Sequence, residues 1–160
     1  MGFTTHPNIL ILYLLKSKRL KMVKVKEFLD AYKSNLDEAV NMVWYDWFCS
    51  DASLKNRTKN IAGTLKKIRK LINIDNYEVS FKNCCPINGP TYDNIILHPH
   101  FDKNTNVNIR FFSCHDDHAF TVGVYNAKTE EDYDKGTNNR NELAKLAADT
   151  ILEVAATYAK

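Results

Sequence analysis

The side chains best suited to chemistry in this 160-residue chain gather in one stretch, Cys114-His115-Asp116-Asp117-His118. A thiol and two imidazoles so close together can ligate zinc, which takes sulfur and nitrogen ligands in a tetrahedral array. Cys84-Cys85 supplies a second source of thiols. Cys84, Cys114, His115 and His118 are therefore the candidate metal ligands, with zinc as the only cofactor they suggest. The sequence holds no Cys-x-x-Cys, only Cys114-x-x-x-His118. Two other readings stay open: unligated thiols beside a solvated polar turn, and a cysteine nucleophile with His115 or His118 as its base, which requires thiol and base to meet in space. His98 and His100 flank Pro99 and read either as a metal half-site or as ordinary surface residues.

A second kind of chemistry is electrostatic. Spaced at helical intervals of about 100°, Lys55, Lys59, Lys66 and Lys70 fall on one side of a helix whose sequence carries seven basic residues and no acid. The stripe reads either as a solvated face or as a contact for an acidic partner, protein or nucleic acid. Trp44, Tyr45, Trp47 and Phe48 form an aromatic knot, either core or a stacking platform for bases or a ligand. No Walker A loop, G-x-G-x-x-G, G-x-S-x-G or H-E-x-x-H occurs, which lowers the expectation of an enzyme.

The elements that must position these groups follow from periodicity. Leu36, Ala39, Val40, Val43, Trp44 and Trp47 line one helix face. Ser34 with Asp37 suggests a capping box, so a helix over 25–33 precedes one over 35–48, or the two form a single bent helix. A further helix is predicted over 53–72, with Leu54, Ile61, Leu65, Ile68 and Ile72 as its stripe. Strand alternation follows around Tyr77 to Phe81, Ile95 to Leu97, Val107 to Phe111 and Phe120 to Val124. After an acidic loop, Thr129 to Asp134, Asn139 caps a last helix with Glu142 reaching back. The expected fold is α+β: N-terminal helices, a four-stranded antiparallel meander and a C-terminal helix packed on the sheet.

A meander sends Cys84-Cys85 and Cys114 out at the same end of the sheet, on strands about 10 Å apart. Parity gives Cys84 the face of Lys82, and Cys114 the face of Arg110 and Asn108. His98 and His100 fall at the opposite end.

Composition is that of an ordinary globular domain, 44% apolar and 26% charged. Four cysteines without framework spacing and no convincing secretory leader point to reduced thiols and a cytoplasmic location. The apolar run Ile9 to Leu15 is too short to span a bilayer. Residues 1–21 carry four basic residues and no acid, and read as a non-domain leader or a mis-assigned start ahead of Met22. The full chain has 22 basic and 19 acidic residues, so 22–160, read as a single domain, is left at a formal −1.

The segments Val43-Trp44-Tyr45-Asp46-Trp47-Phe48-Cys49, Ser53-Leu54-Lys55-Asn56, and Phe81-Lys82-Asn83-Cys84-Cys85-Pro86 through Tyr92-Asp93 resemble small uncharacterised proteins of bacterial phages and mobile elements. The resemblance covers about half the chain and lends no catalytic residues. It implies a setting in which small domains act by occupying a surface of a host protein or nucleoprotein complex, as anti-CRISPR inhibitors do.

Overall fold

The protein is described by a computed structural model over residues 22–43, 50–84, 92–112 and 118–159. In chain order its elements are β1 (Val23–Lys24), α1 (Val25–Ser34), α2 (Leu36–Met42), α3 (Asp51–Leu71), β2 (Glu78–Cys84), β3 (Tyr92–His98), β4 (Thr105–Phe112), β5 (Phe120–Asn126), β6 (Asp132–Thr137) and α4 (Arg140–Tyr158). The leader, the aromatic knot from Trp44 to Phe48, and Cys85, Cys114 and His115 all lie outside the described residues.

The α+β class and the meander hold, but the sheet has six strands, not the four expected, in the order β1-β2-β3-β4-β5-β6 with every pair antiparallel. The extra strands are those that apolar alternation cannot signal. β1 is only two residues long and pairs through Val23 with Val79 and through Lys24 with Glu78. β6 has the sequence Asp-Tyr-Asp-Lys-Gly-Thr and takes in Asp132 to Asp134 of the stretch expected to be loop. It joins through its backbone to β5. At a sheet edge, charged side chains and glycine are tolerated and also discourage further pairing. The tight connection before it is set by Asn126, whose Oδ1 accepts from the amides of Lys128 and Thr129, and by Glu130 at φ 61°.

The N-terminal helices are separate, with Asn35 between them in extended backbone at φ −157° and ψ 106°. Asn35, and not Ser34, caps α2 by accepting from the amides of Asp37 and Glu38. The Ser34 hydroxyl is turned back onto the carbonyl of Asp30 in the preceding turn. α2 closes at Met42, and Val43 is already extended, so the helix expected to continue to residue 48 stops earlier. α3 begins at Asp51, earlier than the expected 53, because Ser50 caps it by accepting from the Ser53 amide. Asn139 caps α4 as expected, but the Glu142 carboxylate accepts from the Thr137 hydroxyl and does not reach the cap amide.

One contiguous core joins the helices to a single face of the sheet. Phe28 of α1, Ile61 and Leu65 of α3, and Leu143 and Ile151 of α4 pack with Val79, Phe81, Ile95, Leu97, Val107, Ile109, Val122 and Val124. The Phe28 and Phe81 rings meet at 5.1 Å. Each such fully buried side chain contributes roughly 1.5–3 kcal/mol. Inside this layer Arg57 of α3 grips Asp93 of β3 through Nε at 2.9 and 3.1 Å and through its terminal nitrogen at 2.6 Å. No described helix is long and apolar enough to cross a membrane.

Candidate functional site

Because strand side chains alternate between faces, the inward set from Val79 to Val124 leaves the even-numbered residues of β2 to β4 on the face that no described helix covers. The register aligns them in rungs across the sheet. One rung runs Lys82, Asn94, Arg110, Thr121, Gly136, a single position on each of five strands. The rung beside it begins Cys84, Tyr92, Phe112, and the Tyr92 and Phe112 rings lie 5.4 Å apart. On the other side lie Ser80, Ile96, Asn108, Gly123 and Asp134.

Two polar members of the central rung are buried. Asn94 is 3% exposed and Thr121 is 8% exposed. Asn94 Nδ2 donates to Asn108 Oδ1 at 3.1 Å, and Asn108 Nδ2 donates to Asn106 Oδ1 at 2.6 Å. Among the described residues Asn94 Oδ1 and Thr121 Oγ1 find no hydrogen-bond partner. A buried polar atom left in that state costs about 1–3 kcal/mol. Between these two atoms in register stands Arg110, partly exposed, its guanidinium 3.9 Å from the Asp134 carboxylate.

Two glycines lie on the β6 side of this surface, and one of them, Gly136, is required there. A Cβ at position 123 would stand 3.5 Å from the Arg110 guanidinium and 3.4 Å from Asp134, ordinary packing distances. A Cβ at position 136 would fall inside the His118 ring, which lies directly over the Gly136 backbone. His118 thus closes the far end of the rung, and the row reads cation, amide, cation, hydroxyl, imidazole.

At the lower end of the same face the Ser80 hydroxyl lies 3.0 Å from His98 Nε2. Burial pushes the His98 pKa below its ordinary value, and the charge of Glu78, opposite it on β2, partly offsets this. A hydroxyl beside a neutral imidazole has the spacing of an activated nucleophile. The amides of β3 are engaged in the ladders to β2 and β4, however, and are not aimed together at one oxyanion position. His100 packs edge-on against Tyr77 and Phe101, while His98 faces Ser80.

The expected lysine stripe is divided. Lys55 pairs with Asp51 at 3.1 Å and approaches Asp37, and the Asp51 hydrogen bond raises its pKa. Lys66 lies over the Tyr32 ring, 4.8 Å from its centroid. Lys59 and Lys70 are exposed. Of the proposed zinc ligands, Cys114 and His115 lie outside the described residues, and Cys84 is described only through its backbone at the end of β2. Only His118 can be placed, over Gly136. Among the described residues no group of three or more histidines, cysteines and carboxylates gathers to hold a metal.

Sequence reasoning passed over Asn94 and Thr121, and it counted Arg57 with the basic helix residues. The signals were present. Arg57 falls at i+3 from Leu54 and i−4 from Ile61, within the apolar stripe, and Asp93 shares parity with Ile95 and Leu97. Asn94 in turn shares parity with Ile96 on the opposite face. Compared with protein-family models, curated proteins and solved structures, the chain matches none of them.

Proposed function

We propose that this protein is a non-enzymatic binding protein that occupies a bacterial host protein or nucleoprotein complex through the sheet face that no described helix covers, as a host-defence inhibitor of the anti-CRISPR kind. The observation that carries the reading is the pair of buried, unpartnered polar atoms, Asn94 Oδ1 and Thr121 Oγ1, on either side of Arg110. Folding alone gains nothing from such atoms, whereas a ligand that supplies their missing hydrogen bonds recovers what their burial costs. The defence setting rests on the sequence resemblance to phage and mobile-element proteins. The lysine stripe is the rival surface, with Lys59 and Lys70 as its exposed members.

The test is relief of phage interference in bacteria that carry an active nucleoprotein defence. Expression of the chain should relieve interference, Arg110→Glu should reduce the relief at least about tenfold, and Lys59→Glu with Lys70→Glu should leave it intact. A tenfold change corresponds to about 1.4 kcal/mol of binding, well within what one reversed charge at a contact removes. Full relief by soluble Arg110→Glu protein, or loss in the lysine pair alone, would move the contact to the helix.

A further inference from the structure

Resting on that reading of the face, we infer that its ligand is single-stranded nucleic acid. Three features of the surface converge on this chemistry. Lys82 and Arg110 stand two strands apart, about 10 Å, on one rung, and His118 lies a similar distance beyond Arg110 over Gly136. This is a line of basic groups running across the strands, suited to a phosphate backbone. Tyr92 and Phe112 sit one rung away as a paired aromatic surface. Base stacking on such rings is tolerant of sequence, because every base has a π-face. Asn94 Oδ1, between Lys82 and Arg110, is a buried acceptor in need of an N–H donor, and Thr121 Oγ1, beyond Arg110, is a buried hydroxyl in need of either partner.

Base edges carry amino and imino donors within reach of a backbone that follows the cations, so one ligand answers all three features. An acidic peptide would satisfy Lys82 and Arg110 but has no planar group matched to the aromatic pair. A duplex presents its bases already stacked and paired, and an open rung of this kind gains only its phosphates. Of the acids on this face, Asp134 stands 3.9 Å from the Arg110 guanidinium, so a phosphate there competes with it, and Glu78 and Asp132 lie one rung farther from the aromatic pair.

Fluorescence anisotropy decides the matter with four labelled probes: single-stranded RNA and DNA of about 12 nucleotides, the matching DNA duplex, and polyglutamate of similar length. The single strands should bind, and affinity should fall with salt at about 0.7 in log–log slope for each phosphate engaged. Lys82→Gln and Arg110→Gln should each lower that slope by about 0.7, a readout that a merely structural role does not move. Tyr92→Ala should weaken binding about tenfold with the slope unchanged.

The inference is overturned if the single strands do not bind at low salt, if the duplex or polyglutamate binds as tightly, or if folded Lys82→Gln and Arg110→Gln proteins keep the wild-type slope. Defence relief that depends on Arg110 without strand binding would reject nucleic acid as the ligand and leave the face as a protein contact. Strand binding without defence relief would do the reverse.

Discussion

Asp93 and Asn94 are neighbours in β3, and the chain's alternation sends them to opposite faces of the sheet. Asp93 meets Arg57 in a buried pair whose side chains are 10% and 8% exposed, held by several charge-assisted hydrogen bonds, with the Tyr92 carbonyl accepting one more from Arg57. Asn94 spends its amide nitrogen on Asn108 and leaves its oxygen without a partner. The Asp93 carboxylate on the helix-covered face is therefore completed from within the fold, and the Asn94 oxygen on the other face is not completed by any described residue. Low local dielectric raises the stakes equally on both. The difference lies in the partner: among the described residues α3 supplies one to Asp93 and none supplies one to Asn94 Oδ1.

The comparison breaks most visibly on the covered side. Asp93→Ala leaves the Arg57 guanidinium buried without its carboxylate, which should destabilise by about 3–5 kcal/mol. For a chain of this size that lowers the melting temperature by roughly 10 °C or more. Replacing both partners together, as Arg57→Met with Asp93→Leu, should recover most of the loss, since well-packed apolar groups avoid the desolvation of two charges. A single mutant that melts like wild type would show that the covered face is no better completed than the open one.

On the helix-free side the expected sign is opposite and the size smaller. Thr121→Val keeps the shape and removes a hydroxyl that has no partner. Stability should be unchanged or rise by up to about 1 kcal/mol, while affinity for the strand falls. Urea denaturation beside the anisotropy titration measures both. Destabilisation of about 2 kcal/mol or more would mean that the hydroxyl is already satisfied by the fold, and the contrast between the faces would collapse.

Much of this architecture was written plainly in the sequence. The apolar stripes of α3 and α4 and the alternation of β2 to β5 are strong because each of those elements must bury one face against the same core. β1 and β6 were not legible, since a two-residue strand has no period and an edge strand such as Asp132–Thr137 is held by backbone hydrogen bonds that its side chains do not reveal. The candidate site was harder still. Its rung joins positions from five strands, and which residue stands beside which depends on register, a property of the pairing and not of any one segment. Cys114-His115-Asp116-Asp117-His118 drew notice because its chemistry is contiguous. The row from Lys82 to Gly136 is scattered over more than fifty residues and becomes visible only once the strands are aligned.

His98 sharpens the comparison by marking where the unsatisfied surface ends. It shares with Asn94, four residues away on β3, the face that no described helix covers, but its ring nitrogen is engaged with Ser80. Burial lowers its pKa below the ordinary 6.5, against the smaller opposing pull of Glu78, and the folded state therefore favours the neutral ring. The unfolded chain protonates first as the pH falls through about 6.5, so stability should decline from there down to the folded pKa, with no contribution from this group above that range. The effect should be small, because the residue is only partly buried and solvent screens it. Urea midpoints of wild type and His98→Gln at about pH 7.5 and 5.5 isolate it: the acid-side loss should be shallower in the variant, and the two should differ least in pH response above neutrality. Identical pH dependence in both proteins would place His98 among the solvated residues and extend the incomplete face to the lower end of the sheet.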